Sequence, residues 1–120
     1  MAAPVGRLPE RRYRLTGVGA FETVFREGRR REGGRLQIVF TPARRFPGCA
    51  GFVLGRKVLP RAVDRNRVRR ILRECLRRNR ERLVPYDVIV RLKRAGPRPT
   101  FPELADEAEH LIAALPGPIR

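Results

Sequence analysis

The most informative stretch of the chain runs from Gly51 to Cys75 and reads GFVLGRKVLPRAVDRNRVRRILREC. Its apolar beginning predicts a strand from Ala50 to Arg56, with the composition of an interior strand covered on both sides. After Pro60, apolar residues recur every three or four positions and predict an amphipathic helix from about Ala62 or Asp64 to Arg82. A short strand that leads directly into the longest helix is therefore the centre of the predicted fold.

This helix concentrates the positive charge of the chain. Between Arg56 and Arg82 there are 12 Lys or Arg and 3 Asp or Glu, so the window supplies nine of the formal +16. Like charges three or four residues apart on a helix repel each other unless anions lie between them. The polar side chains opposite the apolar stripe are Asn66, Arg70, Arg73 and Arg77, flanked by Arg69 and Arg80. The pattern predicts a polynucleotide partner; a solvated helix face is the alternative, although such faces normally mix both charges.

The remaining pattern predicts one domain at residues 13–116, preceded by a flexible basic arm at 1–12 and followed by a short tail at 117–120. A short helix is predicted from Val18 to Arg26 with Thr16 as its N-cap, followed by a loop at residues 27–34. Alternating or continuous apolar residues predict further strands at 36–41 and 87–92. The order of elements indicates the α+β class, with a small mixed sheet of about four strands packed with three helices.

A last helix is predicted after residue 100, where Thr100 and Glu103 match the S/T-x-x-E capping box, and it stops at Pro116. Its acidic residues are Glu103, Asp106, Glu107 and Glu109. They are expected to face a different direction from the basic helix, which would leave the molecule electrically polarised.

The chain carries few groups that could perform catalysis. His110 is the sole histidine and is expected at the surface, which excludes a histidine-based nucleophile or a site with several histidine ligands. Asp64, Glu74 and Asp87 are scattered singly among cations, whereas a two-metal nuclease needs converging carboxylates. Asp64 is expected instead to cap the basic helix. We therefore expect no catalytic residue and no metal ligand in this chain.

The two cysteines, Cys49 and Cys75, do not predict a disulfide framework. The first apolar run is short and contains Pro4, so it does not match a secretory signal, and no segment reaches the roughly 20 apolar residues of a membrane span. These patterns favour a protein of the reducing cytoplasm.

The motif inside the decisive stretch resembles that of the bacterial ribonuclease P protein component. The matching residues are Arg56-Lys57, Arg61-Ala62 and Arg65-Asn66-Arg67-Val68-Arg69-Arg70, followed by Leu72-Arg73-Glu74. The similarity extends from about Arg14 to Leu115 and includes Phe21-x-x-Val-Phe25, Arg26-x-Gly28 and the Asp87-Val-Ile-Val segment. One departure is the longer spacing between Lys57 and Ala62, which would alter how the chain enters the helix.

The resemblance implies a protein subunit of a ribonucleoprotein enzyme, in which the RNA subunit performs the Mg²⁺-dependent removal of the 5′ leader from precursor tRNA. The protein would bind the catalytic RNA and the leader, with Mg²⁺ held by RNA. From the residues themselves we expect no membrane association, and no obligate protein partner is evident. The residues expected at the catalytic RNA are Arg56, Lys57, Arg61, Arg65, Asn66, Arg67, Arg69, Arg70 and Arg73.

The resemblance also implies a leader-binding cleft between the first helix and the sheet. It would hold Phe21, Phe25 and Phe40, which become partly exposed there, whereas packing in the core is the ordinary expectation for such residues. The family further implies a left-handed crossover between parallel strands through the basic helix, against the right-handed rule obeyed in about 98% of cases. Two other interpretations remain, namely a structural RNA-binding protein of the ribosomal type and a nuclease that acts without RNA.

Overall fold

The computed structural model describes residues 18–44 and 47–116. Within them the chain forms α1 (Val18–Glu27), β1 (Arg29–Glu32), β2 (Leu36–Pro42), β3 (Ala50–Val53), α2 (Ala62–Arg78), α3 (Arg80–Leu83), β4 (Tyr86–Leu92) and α4 (Glu103–Ala113). A single 3-10 turn at Arg98–Thr100 precedes α4. The predicted α+β class is confirmed. The arm at 1–12, the Thr16 cap and the tail at 117–120 lie outside the described residues.

The four strands form one mixed sheet in the order β1-β2-β4-β3. β1 with β2 and β2 with β4 are antiparallel, whereas β3 and β4 are parallel and are joined through α2. The predicted connection of parallel strands through the basic helix is therefore present, and its left hand stays a prediction. The interior position predicted for β3 is wrong, because β4 lies between β2 and β3 and leaves β3 at the edge.

The sheet is covered on both faces because alternate residues of a strand point to opposite sides. On the larger face, α2 and α4 cover the buried residues Leu36, Ile38, Phe40, Val88, Val90 and Leu92. On the smaller face, Val24 of α1 packs with Val39 and Ile89. β3 contributes to both clusters, with Phe52 against the larger one and Val53 against the smaller. The apolar composition of β3 therefore reflects side chains that pack against both clusters from an edge strand, and not an interior position in the sheet.

The loop predicted at residues 27–34 contains strand β1. Arg29–Glu32 pairs with Gln37–Phe40 in antiparallel register, and Gly33 N–H donates to Leu36 C=O at 2.8 Å to close the turn. Four charged residues lack the apolar alternation that announces a strand. Charged side chains are nevertheless well suited to an edge strand, since they discourage pairing with another chain.

The basic helix is shorter than predicted because it breaks at Asn79. The Asn79 side-chain amide donates to Cys75 C=O at 2.8 Å, and the chain continues as the separate short helix α3. Most of the predicted apolar stripe is confirmed, since Val68, Leu72, Cys75, Leu76 and Leu83 are buried. Val63, which belongs to the predicted stripe and lies in the first turn of α2, is instead 63% exposed.

The caps predicted for α2 and α4 do not form. Arg61 occupies the N-cap of α2 without a side-chain hydrogen bond, and the Asp64 carboxylate instead accepts from Arg98 Nε at 3.0 Å. Thr100 belongs to the 3-10 turn, where its hydroxyl donates to Pro97 C=O at 2.6 Å, while Pro102 stands at the N-cap of α4. An ion pair with a segment 34 positions away thus replaced one cap, and an adjacent 3-10 turn replaced the other.

Glu107 anchors α4 to the sheet. Its carboxylate accepts hydrogen bonds from the backbone N–H groups of Arg35 at 2.8 Å and Leu36 at 2.6 Å. The Arg35 guanidinium in turn donates to Ala95 C=O at 2.6 Å. These bonds fix the acidic helix beside the start of β2.

Candidate nucleic-acid interface

A cleft of about 370 Å³ opens beside β3, between α1 and α2. Its floor is the edge strand, with Ala50, Gly51 and Phe52, and Phe21 of α1 lies on one side. The α2 side, continued by the first residue of α3, carries four arginines, Arg69, Arg73, Arg77 and Arg80. We call these four residues the arginine wall. The cleft therefore combines two aromatic rings with a row of cations.

The arginine wall follows from helical spacing. Arg69, Arg73 and Arg77 are four residues apart and so lie on one face of α2, and Arg80 follows directly after the break at Asn79. At 1.5 Å per residue, its three members on α2 extend over about 12 Å. Asn66 and Arg70 are exposed on α2 beside the arginine wall. We call the surface formed by these two residues the crest. The predicted alignment of cations along one side of the helix is present in the structure.

The opposite flank of α2 is engaged with the rest of the protein. The Arg67 guanidinium lies 5.6 Å from the centre of the Phe101 ring, and Arg78 Nη2 is 3.8 Å from Glu109 Oε1. α4 thus packs along α2, so the prediction that its acids all face another direction is wrong for Glu109. This arrangement neutralises part of the charge on the far flank, whereas on the cleft side Arg77 pairs with Glu74.

The residues predicted at the catalytic RNA do not form a single surface. Arg56, Lys57 and Arg61 are exposed in the connection between β3 and α2. The other exposed members of the set are Asn66, Arg67 and Arg70, while Arg69 and Arg73 are half-buried and line the cleft. Arg69 Nη1 also donates to Asn66 Oδ1 at 3.0 Å, which connects the crest of the helix to the arginine wall.

Arg65 has a different environment from the other predicted RNA-binding residues. It is half-buried, and its Nη1 donates to Leu59 C=O at 2.7 Å and to Pro60 C=O at 3.0 Å. These bonds hold the connection that carries Arg56 and Lys57 against the start of α2. Arg65 therefore orders this basic segment, in addition to any contact it makes with RNA.

The three predicted aromatic residues separate. Phe21 and Phe25 are half-buried and pack around Val24, and Phe21 lines the cleft. The prediction that Phe40 is partly exposed there is wrong, because Phe40 is 1% exposed and faces the core under α2 and α4. Since neighbours in a strand alternate, Val39 faces α1 and Phe40 must point away from it.

Phe40 is enclosed by a different set of groups. Its ring meets Tyr86 edge-on at a centroid distance of 5.3 Å. The guanidinium groups of Arg29 and Arg31 in β1 lie 5.9 and 5.5 Å from the ring centre. This environment fits a core aromatic sealed by cations at the edge of the sheet.

The cleft residues absent from the predicted site include Arg77, Arg80 and Phe52. Arg77 continues the spacing of Arg69 and Arg73 on α2, so helical periodicity indicated it once one flank was chosen, whereas Arg80 reaches the cleft from α3, after the break at Asn79. Phe52 is half-buried and lines the cleft. It was missed because an interior position had been predicted for its strand, and strand order depends on pairing between distant segments.

Cys49 lies at the cleft next to the floor strand. Its backbone N–H donates to Asp87 Oδ1 at 3.0 Å. Burial, and after it the negative charge of Asp87, raises the pKa of the Cys49 thiol. The thiol therefore stays protonated at neutral pH, and neither cysteine is in a disulfide.

Residues 18–44 and 47–116 offer neither a metal site nor a membrane-spanning helix. No three side chains of the His, Cys, Asp or Glu types come together in a way that could hold a metal ion. None of the helices described there has the length and apolar character needed to cross a membrane.

The fold and the cleft define a class, a small basic α+β protein with an arginine-rich helix beside an open cleft. The chain belongs to the ribonuclease P family, whose model matches residues 9–115. It is 36% identical over 105 residues to the ribonuclease P protein component of a Synechococcus strain, covering 83% of this chain and 79% of that protein. It is 40% identical over 109 residues to that of Acidothermus cellulolyticus, covering 87% and 88%.

Solved structures show the same fold. The chain superposes on a mutant RNase P protein of Staphylococcus aureus with a TM-score of 0.77 at 20% identity, covering 87% of this chain and 88% of that one. With the RNase P protein of Thermotoga maritima the TM-score is 0.74 at 23% identity, covering 87% and 98%. These similarities support the architecture described above.

The predicted function is confirmed at the level of the family. The chain is a protein component of ribonuclease P, the endoribonuclease of tRNA 5′ maturation, and it acts with an RNA partner. The interpretation as a structural ribosomal protein is not favoured, because the matched proteins are ribonuclease P components.

Proposed function

We propose that α2 serves two RNAs with two of its sides. The crest and the connection before it, with Arg56, Lys57, Arg61 and Arg70, bind the catalytic RNA. The arginine wall and Phe21 bind the single-stranded 5′ leader of precursor tRNA. Mg²⁺ is held by the RNA, and the protein supplies charge and position in the cytoplasm without a catalytic side chain of its own.

The observation that carries this proposal is the asymmetry of α2. Its far flank packs against α4, where Glu109 pairs with Arg78, whereas its other flank borders an open cleft. The wall and the crest face the cleft and solvent. Arginines spaced one turn apart suit the regular phosphates of a strand, and an aromatic ring across the cleft suits stacking of an unpaired base.

The test is cleavage of precursor tRNA by the reconstituted holoenzyme at low Mg²⁺. Two substrates are compared, one with a leader of several nucleotides and one with a single-nucleotide leader. The protein is expected to increase cleavage of both, since it stabilises the catalytic RNA, and to increase affinity further for the long leader. Equal affinity for the two substrates would exclude leader binding.

Variants separate the two surfaces. Arg70→Ala is expected to weaken binding of the catalytic RNA about 10- to 150-fold, the loss of one charge-assisted contact, with the long-leader advantage retained. Arg73→Ala is expected to reduce the long-leader advantage with catalytic-RNA binding retained. Arg78→Ala removes the same charge from the flank that faces α4 and is the matched control. If all three variants behave alike, charge alone matters and the division of surfaces is wrong.

The chain alone is expected to leave precursor tRNA intact. Cleavage by protein freed of RNA would instead support the interpretation as a nuclease that acts without RNA.

A further inference from the structure

The floor of the cleft is the open edge of the sheet. β3 pairs with β4 on one side only, since it is the last strand in the order. Parallel pairing matches Ala50 with Val88 and Phe52 with Val90, and Val88 N–H donates to Cys49 C=O at 2.8 Å. In this register Cys49, Gly51 and Val53 direct their backbone groups toward β4. The backbone N–H and C=O groups of Ala50 and Phe52 therefore point away from β4, toward the cleft.

The outward backbone groups of Ala50 and Phe52 lack partners in the described part of the chain. None of the hydrogen bonds found outside the strand ladders of residues 18–44 and 47–116 ends on them. Backbone N–H and C=O groups in a groove are normally satisfied by protein, water or a ligand. Ala50 C=O and Phe52 N–H lie on the same side of an extended strand, so they present one acceptor and one donor next to each other.

The groups around the open edge of β3 favour one kind of ligand. A second β-strand could pair with it, but such a strand would have to face the arginine wall across the same cleft. A polynucleotide strand meets both requirements, because its phosphates match the arginines while its bases point away from them. The Watson–Crick edge of an unpaired base offers a donor and an acceptor side by side, which complements Ala50 C=O and Phe52 N–H.

We propose that the open edge of β3 hydrogen-bonds the Watson–Crick edge of one leader nucleotide, through Ala50 C=O and Phe52 N–H. This inference rests on the proposed binding of the leader in the cleft. The arginine wall holds the phosphates, and Phe21 flanks the base. Since the donor and acceptor belong to the backbone, this contact does not depend on which side chains occupy β3.

The direct test replaces Phe52 by phenyllactic acid, which exchanges only its N–H for an ester oxygen. The reconstituted holoenzyme is expected to lose affinity for long-leader precursor tRNA about three- to tenfold, the effect of one hydrogen bond. Affinity for the single-nucleotide leader is expected to stay unchanged. Phe52→Leu keeps the N–H and changes the side chain, so it is the matched control and is expected to retain more of the long-leader affinity than the ester.

The second test changes the RNA and leaves the protein natural. It therefore remains decisive even if the protein with the ester at position 52 is too unstable to assay. Each leader nucleotide in turn is replaced by adenosine or by adenosine methylated at N1, which blocks the Watson–Crick edge. Methylation is expected to weaken binding at one position only. With the ester protein, methylation at that position is expected to have no further effect, as for two changes that remove the same interaction.

The outcomes separate this inference from the proposed function. If the natural protein gains no affinity from a long leader, the proposed function fails. If the leader advantage is present and Arg73→Ala reduces it, but methylation has no effect at any position, the β3 inference alone is wrong. An acidic peptide that displaces a leader oligoribonucleotide from the cleft at lower concentration than a competing oligoribonucleotide would likewise overturn it.

Discussion

Removing one arginine from the wall should change the salt dependence of leader binding by a calculable amount. Arg73 is the member to replace, because it is half-buried and has another wall residue one turn away on each side. Each phosphate neutralised on a single strand contributes about −0.7 to the slope of log K against log salt. Four contacts in the natural protein give a slope of about −2.8, and three contacts in Arg73→Ala give about −2.1. The steepness of the first slope is an upper limit because Arg77 already pairs with Glu74.

These slopes predict a measurable difference. Raising salt from about 50 to about 200 mM should weaken leader binding about 50-fold with the natural protein and about 20-fold with Arg73→Ala. Arg78→Ala removes the same formal charge from the α4 side and is expected to leave the slope near its natural value. At low salt, Arg73→Ala should bind the leader more weakly than Arg78→Ala.

The assay measures holoenzyme affinity for long-leader and single-nucleotide-leader precursor tRNA at several salt concentrations. The ratio of the two affinities isolates the leader, because contacts with the tRNA body and with the catalytic RNA cancel. Identical slopes for Arg73→Ala and the natural protein would refute the assignment of Arg73 to a leader phosphate. Equal loss of slope in Arg78→Ala would show a general effect of net charge.

Three further predictions concern the core, the cysteine and the acidic helix. Phe40→Ala should lower the unfolding free energy by about 3–5 kcal/mol in denaturant titrations. The folded fraction should still bind a long leader more tightly than a short one. Loss of this preference without loss of stability would show that Phe40 contacts the leader. Because the pKa of Cys49 is raised, its alkylation should be slow at neutral pH and rise with pH through and beyond the ordinary thiol value, and a bound leader should slow it further. Cys75 is buried and should react only on unfolding, so equal rates for both thiols would contradict the structure. Glu107→Ala should cost about 1–3 kcal/mol because two backbone donors lose their acceptor, and Glu107→Gln should cost less, as thermal unfolding can show.

Local periodicity was sufficient to predict α2, β2 and β4. The apolar stripe through Val68, Leu72 and Cys75 is present, as is the row of cations on another side of the same helix. These patterns arise from the geometry of a single element and need no knowledge of its neighbours. β1 was missed for the same reason, since Arg29–Glu32 becomes a strand only through pairing with β2.

The predicted caps show how tertiary contacts override local preferences. Asp64 is a good capping residue by type, but Arg98 from a segment 34 positions away takes its carboxylate. Thr100 and Glu103 match a capping box, yet the 3-10 turn and the contact of Thr100 with Arg35 use the threonine differently. Charged groups brought together by folding compete successfully with a cap that is worth about 1 kcal/mol.

By itself the sequence determined the class of fold, the polarity of α2 and membership of a family of RNA-binding subunits, because these depend on residue types and on spacings along one element. The tertiary structure alone decided which flank of α2 faces the cleft, that β3 is an edge strand, and that Phe40 is buried while Phe52 lines the candidate site. Those outcomes depend on strand order and on the packing of α1 and α4, which join segments far apart in the chain.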